Sequence, residues 1–351
     1  MIRLIKKSDF YNLEKFSNEA YGKNHILHNQ THTTWQFKKN PFLKKTEISV
    51  VIYEYKHRIV SHLGFIPVKL KFFNTTKKAL WHVSFFTLEQ FRGRGLGLKL
   101  VKFSNKHYDI AMVLSGSPGT ESIYHNIGGK TLGDLRRYVY IIQKNRIEKI
   151  LGKKIKISQC SVNVQKKGRI TRVKNLTSKY DKFWNDIQKR YPITMDRNRM
   201  YMYWRYFNHP LIEYHFLILE VEKSITGFVI IRFEDKNKKI QAARIVDMVV
   251  KEEFEKEMIL SVQEYCDKKI DFIDFFCTGN FYEQSLEELG FFNNNKRKLN
   301  IPSVFNPIDT NRRENINFLY ADLKKNIKKD ILSVENNWFF VKADSDQDRA
   351  Y

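Results

Sequence analysis

The sequence is poor in cysteine and has no long apolar run. Its three cysteines, Cys160, Cys266 and Cys277, show no CxxC spacing and cannot all pair within one chain. This argues against a disulfide scaffold or a zinc site and favours a reducing compartment. No apolar run approaches the roughly 20 residues that span a bilayer. The segment 1–9 reaches charged residues at once, which predicts a strand and not a signal peptide. We therefore expect a cytoplasmic protein without a membrane span.

Acidic residues are also scarce. The chain has 38 acidic against 62 basic residues, a formal net charge of +24. This excess favours an anionic partner, which could be nucleic acid, a phosphorylated cofactor or substrate, or an acidic membrane face. Lysine is scattered through every segment, so part of the excess can be a compositional habit of the source genome. With 351 residues, 42% of them hydrophobic, the length and composition predict about two domains.

A glycine-rich stretch, Arg92-Gly93-Arg94-Gly95-Leu96-Gly97, follows an apolar run over 80–88 and leads into a helical pattern. Glycine allows a ligand to approach the main chain closely. A helix start leaves amide groups without partners, and the helix dipole favours negative charge there. The stretch therefore predicts a pyrophosphate-binding loop, and a tight turn with two solvated arginines is the structural alternative.

The first half predicts alternating elements around this loop. A strand over 2–5 and a helix capped by Ser8 or Asp9 come first. Two β-rich runs, 47–55 and 59–73, follow as a hairpin, and a strand over 80–88 leads into the loop. After the loop come a helix, a strand over 110–114, a short helix over 120–126 and a last strand over 137–143. Between the first helix and the hairpin, His25, His28 and His32 allow a metal site, but a solvated loop without metal is the preferred interpretation, since no carboxylate or cysteine accompanies them.

At this point the chain resembles the GNAT superfamily of N-acyltransferases. Arg92, Gly95 and Gly97 match the Arg/Gln-x-x-Gly-x-Gly/Ala acyl-coenzyme A loop of that family. The segment 123–129 is similar to its Tyr-x-x-x-Gly-Phe element, with Gly129 in place of the aromatic residue. The resemblance covers residues 1–145. A dinucleotide-binding fold and a Walker loop fit less well, because antiparallel-type strands precede the loop, its spacing is Gly-x-Gly-x-Gly, and Gly-Lys-Ser/Thr is missing.

The second half repeats the plan without the loop. After a basic connector at 146–168, strand and helix patterns return in the same order, but the strand over 242–250 leads into four glutamates between 251 and 257 where an anion would bind. We therefore predict an α/β fold of two tandem GNAT-like domains, each a mixed, largely antiparallel sheet flanked by helices. Residues 1–145 hold the acyl-CoA loop, and 169–351 form a degenerate domain with an acceptor-binding or structural role. An unrelated α/β domain is the alternative for the second half.

The resemblance implies transfer of an acyl group, acetyl in the first instance, from acyl-coenzyme A to a primary amine. It implies that residues 92–97 hold the pyrophosphate, that the main chain of Phe86, Thr87 and Leu88 aligns the pantetheine arm, and that Tyr124 protonates the leaving thiolate. For the base, His82 and Glu89 flank the central strand, and Glu121 is a further candidate. Tyr124 and His82 each have a purely structural alternative.

The acceptor is predicted from a second aromatic stretch at 199–210. Arginines and aromatics alternate there, as on surfaces that stack on a sugar or base, and Trp204, Arg205 and Tyr206 are the predicted contacts. A buried aromatic helix between the domains is the equal alternative. The stretch also resembles one in tandem GNAT-type proteins of bacterial surface-polysaccharide synthesis, which implies a nucleotide-linked amino sugar as acceptor. An aminoacyl-tRNA-dependent transferase and a non-enzymatic nucleic-acid-binding protein remain alternatives. No metal is expected, since the acidic tail at 344–349 lacks the glycine and glutamate of a calcium loop.

Overall fold

The fold comes from a computed structural model that describes residues 1–23, 25–44, 46–157, 162–234, 240–266, 269–303 and 315–349. Cys160 lies outside these residues. The strands are β1 (Ile2–Leu4), β2 (Val50–Tyr55), β3 (Arg58–Phe72), β4 (Thr75–Thr87), β5 (Ile110–Leu114), β6 (Lys130–Asp134), β7 (Arg136–Ile141), β8 (Arg169–Arg172), β9 (Ile193–Met195), β10 (His215–Val221), β11 (Ser224–Glu234), β12 (Ala242–Val250), β13 (Phe272–Cys277), β14 (Phe292–Asn293), β15 (Asn317–Asp322) and β16 (Trp338–Phe339).

The helices are α1 (Phe10–Tyr21), α2 (Gln30–Phe37), α3 (Leu96–Ser104), α4 (Pro118–Asn126), α5 (Lys144–Leu151), α6 (Ser178–Ile187), α7 (Arg199–Met202), α8 (Glu255–Tyr265), α9 (Glu283–Glu288), α10 (Asn294–Arg297) and α11 (Lys329–Ser333). A π-helical turn, Tyr203–Phe207, continues α7. Within the described ranges, none of the helices combines the length and the apolarity that crossing a membrane requires.

The first sheet has nine strands within the described ranges, in the order β1-β2-β3-β4-β5-β15-β6, with β9 beside β3 and β16 beside β9. Its β2–β3 hairpin is confirmed, and its turn residues Lys56 and His57 have φ of 47° and 61°, as in the tight turns that suit twisted strands. The strand before the glycine loop is longer than predicted, because β4 already begins at Thr75 and pairs with β3 along its length.

The second sheet has the order β14-β7-β13-β12-β11-β10-β8 and repeats the plan of the first. In each sheet an antiparallel hairpin is followed by a parallel pair, β4 with β5 and β12 with β13. A helix connects the two parallel strands in each case, α3 in the first and α8 in the second. The first strand of each pair also carries a β-bulge, at Ser84 in β4 and at Val246 in β12. These shared irregularities support an internal repeat more strongly than element order does.

The two sheets exchange one strand. The predicted last strand of the first half, β7, pairs with β13 in the second sheet. In its place the first sheet takes β15 from the C-terminal half, between β5 and β6. The expected limits at 145 and 168 therefore do not coincide with the limits of the sheets, and the predicted connector also contains α5, whose Ile147 is fully buried. The largest group of buried apolar side chains runs through both sheets.

Candidate functional site

The glycine loop lies at the exit of β4, where a 3-10 turn over Glu89–Phe91 precedes α3. Gly93 and Gly95 have φ of 75° and 68°, a region in which a Cβ is strained, so the conformation itself calls for glycine. The amides of residues 93–98 donate no hydrogen bond to any other described group. Six successive free amides at a helix start form an anion-binding surface.

Two exposed arginines stand beside these amides. Arg92 Nε donates to the Thr87 carbonyl at 3.1 Å, and its guanidinium carbon lies 5.3 Å from the centre of the Phe86 ring. Arg94 donates to the Gln90 carbonyl at 3.3 Å. These contacts hold both side chains next to the loop while their charge stays open to solvent, which adds to the attraction for an anion.

Buried side chains fix the loop at both ends. Leu88 and Leu96 are 2% and 6% exposed. A Cβ at Gly97 would lie 2.6 Å from Phe85 and 2.8 Å from Ile123, so the first turn of α3 sits closely against β4 and α4. The sequence prediction that residues 92–97 form one loop unit at a strand–helix junction agrees with this placement.

The parallel pair opens next to the loop. β4 pairs with β5 only through Ala79, Leu80 and Trp81, although β4 continues to Thr87 and β5 to Leu114. The bulge at Ser84, with φ of 49°, lies in the open part. The edge of β4 that faces away from β3 is thus unpaired with strand β5 over residues 82–87, and it leads directly to the free amides. An extended ligand arm can hydrogen-bond along such an edge.

The structure brings His82 and Tyr124 together. His82 Nδ1 lies 2.8 Å from the Tyr124 hydroxyl and its Nε2 lies 2.9 Å from Ser104 Oγ. Burial lowers the pKa of His82 to about 3 and raises that of Tyr124 well above its usual value, because the charged forms lose their hydration. Both ring nitrogens of His82 therefore have hydrogen-bond partners. The pair lies between the first sheet and α3. Glu89 is exposed in the 3-10 turn, and no hydrogen bond joins it to this pair.

The aromatic stretch is buried between the two sheets. Trp204 and Trp35 stack at 5.1 Å, and each indole N–H donates to the carbonyl of the other residue. Arg205 Nε donates to the Ala343 carbonyl at 2.6 Å and Tyr206 donates to Asp247 at 2.9 Å. Of the two interpretations of this stretch, the structure has the buried helix, and the polar atoms of the predicted acceptor contacts are taken up by the protein itself.

The opening in the second sheet is filled by the protein's own chain. The C-terminal segment bridges to β13 through Val341 and Cys277, and the Thr278 amide donates to the Phe340 carbonyl. On the other side of the opening, the buried Arg197 pairs with Asp247 of β12 at 2.9 Å and with Asp344 at 3.0 Å. A ligand arm therefore has no room where the first sheet leaves its opening.

The start of α8 is closed as well. Glu255 pairs with Arg190 and accepts a hydrogen bond from Ser285 at 2.5 Å. Glu257 accepts from the amides of Lys167 and Gly168 at 2.9 and 2.7 Å. Carboxylates of the chain thus lie at the start of α8, where they would repel an anion, as the glutamate pattern predicted.

Near α2, two of the three histidines of the possible metal site serve other contacts. His25 stacks on Tyr21 at 4.2 Å, and His28 Nε2 lies 3.0 Å from the Gly22 carbonyl. No cluster of three or more metal-ligating side chains occurs in the part of the chain that the structure covers.

Sequence comparison and structure comparison give different results. No family model matches the chain, and no curated protein matches it. A GCN5-related N-acetyltransferase from Anabaena variabilis superposes with a TM-score of 0.62 at 9% identity, over 92% of this chain and 73% of that one. One from Kribbella flavida gives 0.56 at 10%, over 91% and 70%. The N-myristoyltransferase of Saccharomyces cerevisiae, solved with bound myristoyl-CoA, gives 0.57 at 11%, over 92% and 78%.

These likenesses establish the fold. The chain has the mixed α/β fold of the GCN5-related N-acetyltransferases, present twice and arranged as in N-myristoyltransferase. The predicted fold class is confirmed, including the second domain that lacks the acyl-CoA loop. At identities of 9–11%, the likeness shows the fold alone.

Proposed function

We propose that the protein is an N-acyltransferase that transfers an acyl group from acyl-coenzyme A to a primary amine. The observation that carries this proposal is the run of free amides at residues 93–98 beside the open edge of β4. In the second sheet the C-terminal segment fills the corresponding opening, and carboxylates lie at the helix start. A yeast N-myristoyltransferase of this fold was solved with myristoyl-CoA, which supports an acyl-CoA as the co-substrate.

The chain's own groups fit such a co-substrate. The amides of residues 93–98 with Arg92 and Arg94 would hold the pyrophosphate, and the unpaired edge of β4 from Phe86 to Leu88 would align the pantetheine arm. When bound, acyl-CoA supplies a thioester carbonyl as the acyl donor. Acetyl is the acyl group we propose. Tyr124 stays the proposed proton donor to the thiolate, which would require its hydroxyl to exchange its contact with His82.

For the acceptor we propose a nucleotide-linked amino sugar used in polysaccharide or glycan synthesis in the cytoplasm. The net charge of +24 supports an anionic acceptor such as a nucleotide-linked sugar. The aromatic stretch at 199–210 adds no support, because its polar atoms are already paired. The same charge would suit an aminoacyl-tRNA-dependent transferase, for which steeply salt-dependent tRNA binding would be the evidence.

Acetyl-CoA binding tests the proposal directly. At 100 times its Kd a ligand stabilises the folded state by about 2.7 kcal/mol, so millimolar acetyl-CoA should raise the Tm of the wild type by several degrees. We expect Gly95→Glu to abolish this shift, because it adds strain and a negative charge at the amides. A wild type without any shift would refute the proposal.

Gly152→Glu is the matched control. Gly152 has φ of 64°, against 68° for Gly95, and a Cβ at either position meets nothing within 4 Å. Both variants therefore carry the same backbone strain and the same new charge, but Gly152 caps α5, away from the loop. G152E should keep the acetyl-CoA shift. A mass-spectrometric screen of amino-sugar nucleotides with several acyl-CoA donors then identifies the acceptor.

A further inference from the structure

A cluster of polar side chains lies on the face of the first sheet opposite α3. We call Tyr21, His25, His32 and His62 the histidine cluster. Tyr21 stacks on His25 at 4.2 Å, and its ring centre lies 5.1 Å from that of Phe86, the cross-strand partner of His62. His62 projects from β3 towards α1, where its ring centre lies 5.8 Å from that of Phe16. The cluster thus joins α1, α2 and the central strands.

Three buried polar atoms of this cluster have no hydrogen-bond partner among the described residues. They are the Tyr21 hydroxyl, His32 Nδ1 and His62 Nδ1. Leaving a buried polar atom unpaired costs about 1–3 kcal/mol, and native proteins rarely tolerate it without a functional reason. Their concentration in one place indicates a position for a polar ligand.

The cluster adjoins both arms of the opening in the first sheet. On the β4 side, His62 lies opposite Phe86, two residues after the bulge at Ser84. On the β5 side, Gln347 of the C-terminal segment reaches the carbonyl of Leu114, the last residue of β5, at 3.4 Å. Asp346 and Arg349 of the same segment line a small cavity together with His32. A ligand at the cluster would therefore approach a molecule bound in the opening between β4 and β5, from the side of the sheet away from α3.

We propose that the histidine cluster receives the acceptor amine and that His62 Nδ1 is the base that takes its proton. This inference rests on the proposed function. His62 is 1% exposed, and burial lowers its pKa to about 4, so the ring is neutral at pH 7. In the tautomer with the proton on Nε2, the unpaired Nδ1 offers a lone pair. His82, one of the candidate bases from the sequence, lies on the opposite face with both nitrogens engaged.

The proton balance is simple. The amine nitrogen forms a bond to the thioester carbonyl carbon, and the carbon–sulfur bond breaks with its electron pair on sulfur. The proton lost by nitrogen passes to His62 Nδ1, directly or through one water. The thiolate takes the hydroxyl proton of Tyr124, so that an amide and free coenzyme A result. The imidazolium of His62 then releases its proton to water and Tyr124 regains one from water, so both side chains return to their neutral forms.

Bromoacetyl-CoA tests the position of His62 without knowledge of the acceptor. An imidazole nitrogen with a free lone pair next to the acyl group displaces bromide and is alkylated. Tryptic peptide 59–69 contains His62 and peptide 79–92 contains His82, so mass spectrometry of the labelled full chain distinguishes them. We expect one adduct, on 59–69, formed at least 10-fold more slowly in excess acetyl-CoA.

Two variants complete the experiment. His62→Gln should keep the acetyl-CoA shift in Tm and lose the adduct, and with an accepted amine its kcat should fall by about 10²–10⁴-fold. His107→Gln, on the exposed turn after α3, should behave as the wild type. Labelling of 79–92, or no labelling of wild type that does show the shift, would overturn the inference. A wild type without the shift would instead refute the proposed function.

Discussion

Arg197 is a fully buried cation that holds two carboxylates, Asp247 at 2.9 Å and Asp344 at 3.0 Å. Removing the partner of a buried charge costs about 3–5 kcal/mol, since the charge left behind has neither water nor a counter-ion. We expect Arg197→Met to lower the free energy of unfolding by that amount in urea denaturation. Arg199→Met is the control, because the pair of Arg199 with Asp181 is 43% and 38% exposed and should cost about 1 kcal/mol or less. Equal losses would contradict the interpretation.

Asp344 gives this network a pH dependence. Burial and the neighbouring Asp247 raise the pKa of Asp344 to about 6, since one guanidinium serves two carboxylates. The folded state then binds a proton more tightly than the unfolded state, so stability from this group increases as pH falls from about 6 towards 4. The unfolding free energy of the wild type should gain about 1 kcal/mol relative to Asp344→Asn between pH 7 and pH 5. A difference independent of pH would show that Asp344 is ionised in both states.

At the residue scale, the place of the glycine loop could be predicted from the sequence, whereas the proposed acceptor side could not. Gly93 and Gly95 could be recognised as loop residues because a positive φ and a close ligand approach both favour glycine, which is visible in the sequence. His62 was missed because it stands inside a continuous strand pattern, Ile59 to Phe65, and nothing local shows that its ring lacks a partner. That property depends on α1 and on the β4 bulge, which are brought there only by the fold.

At the element scale, the start of α8 is held by its own glutamates. Glu257 accepts two backbone amides, those of Lys167 and Gly168, which have no other acceptor if the carboxylate is removed. We expect Glu257→Ala to reduce the unfolding free energy by about 1–3 kcal/mol. Glu253→Ala, at an exposed position of the same helix start, should stay within about 0.5 kcal/mol. Neither should alter the acetyl-CoA shift; a changed shift would place a donor site in the second domain.

Most helices and strands could be predicted from the sequence, whereas the pairing of distant strands could not. Hairpins such as β2–β3 and β10–β11 are local, and turn residues and alternation predict them. Which sheet β7 and β15 join does not depend on local sequence. Each joins a sheet built mainly from the other half, and period-2 patterning says that a strand is buried without saying against what.

For the whole molecule, the strand exchange makes the two halves depend on each other. A fragment ending at residue 161 lacks β15, which lies between β5 and β6, and it carries β7 without a sheet to join. We therefore expect this fragment to give no cooperative thermal transition and no stabilisation by acetyl-CoA, although it contains the entire glycine loop. Co-expression with the fragment that begins at residue 162 should restore both, because the missing strands are then supplied in trans.

The full chain should accordingly melt in one transition, with coincident curves from near-UV circular dichroism and from tryptophan fluorescence. Trp81 in the first sheet and Trp338, which packs against Phe318 at 5.3 Å, report on the exchanged strand. If the shorter fragment alone melted cooperatively and bound acetyl-CoA, the β15 edge would be dispensable. The second domain would then be an appendage and not, as the exchanged strands imply, half of the framework that holds the opening between β4 and β5.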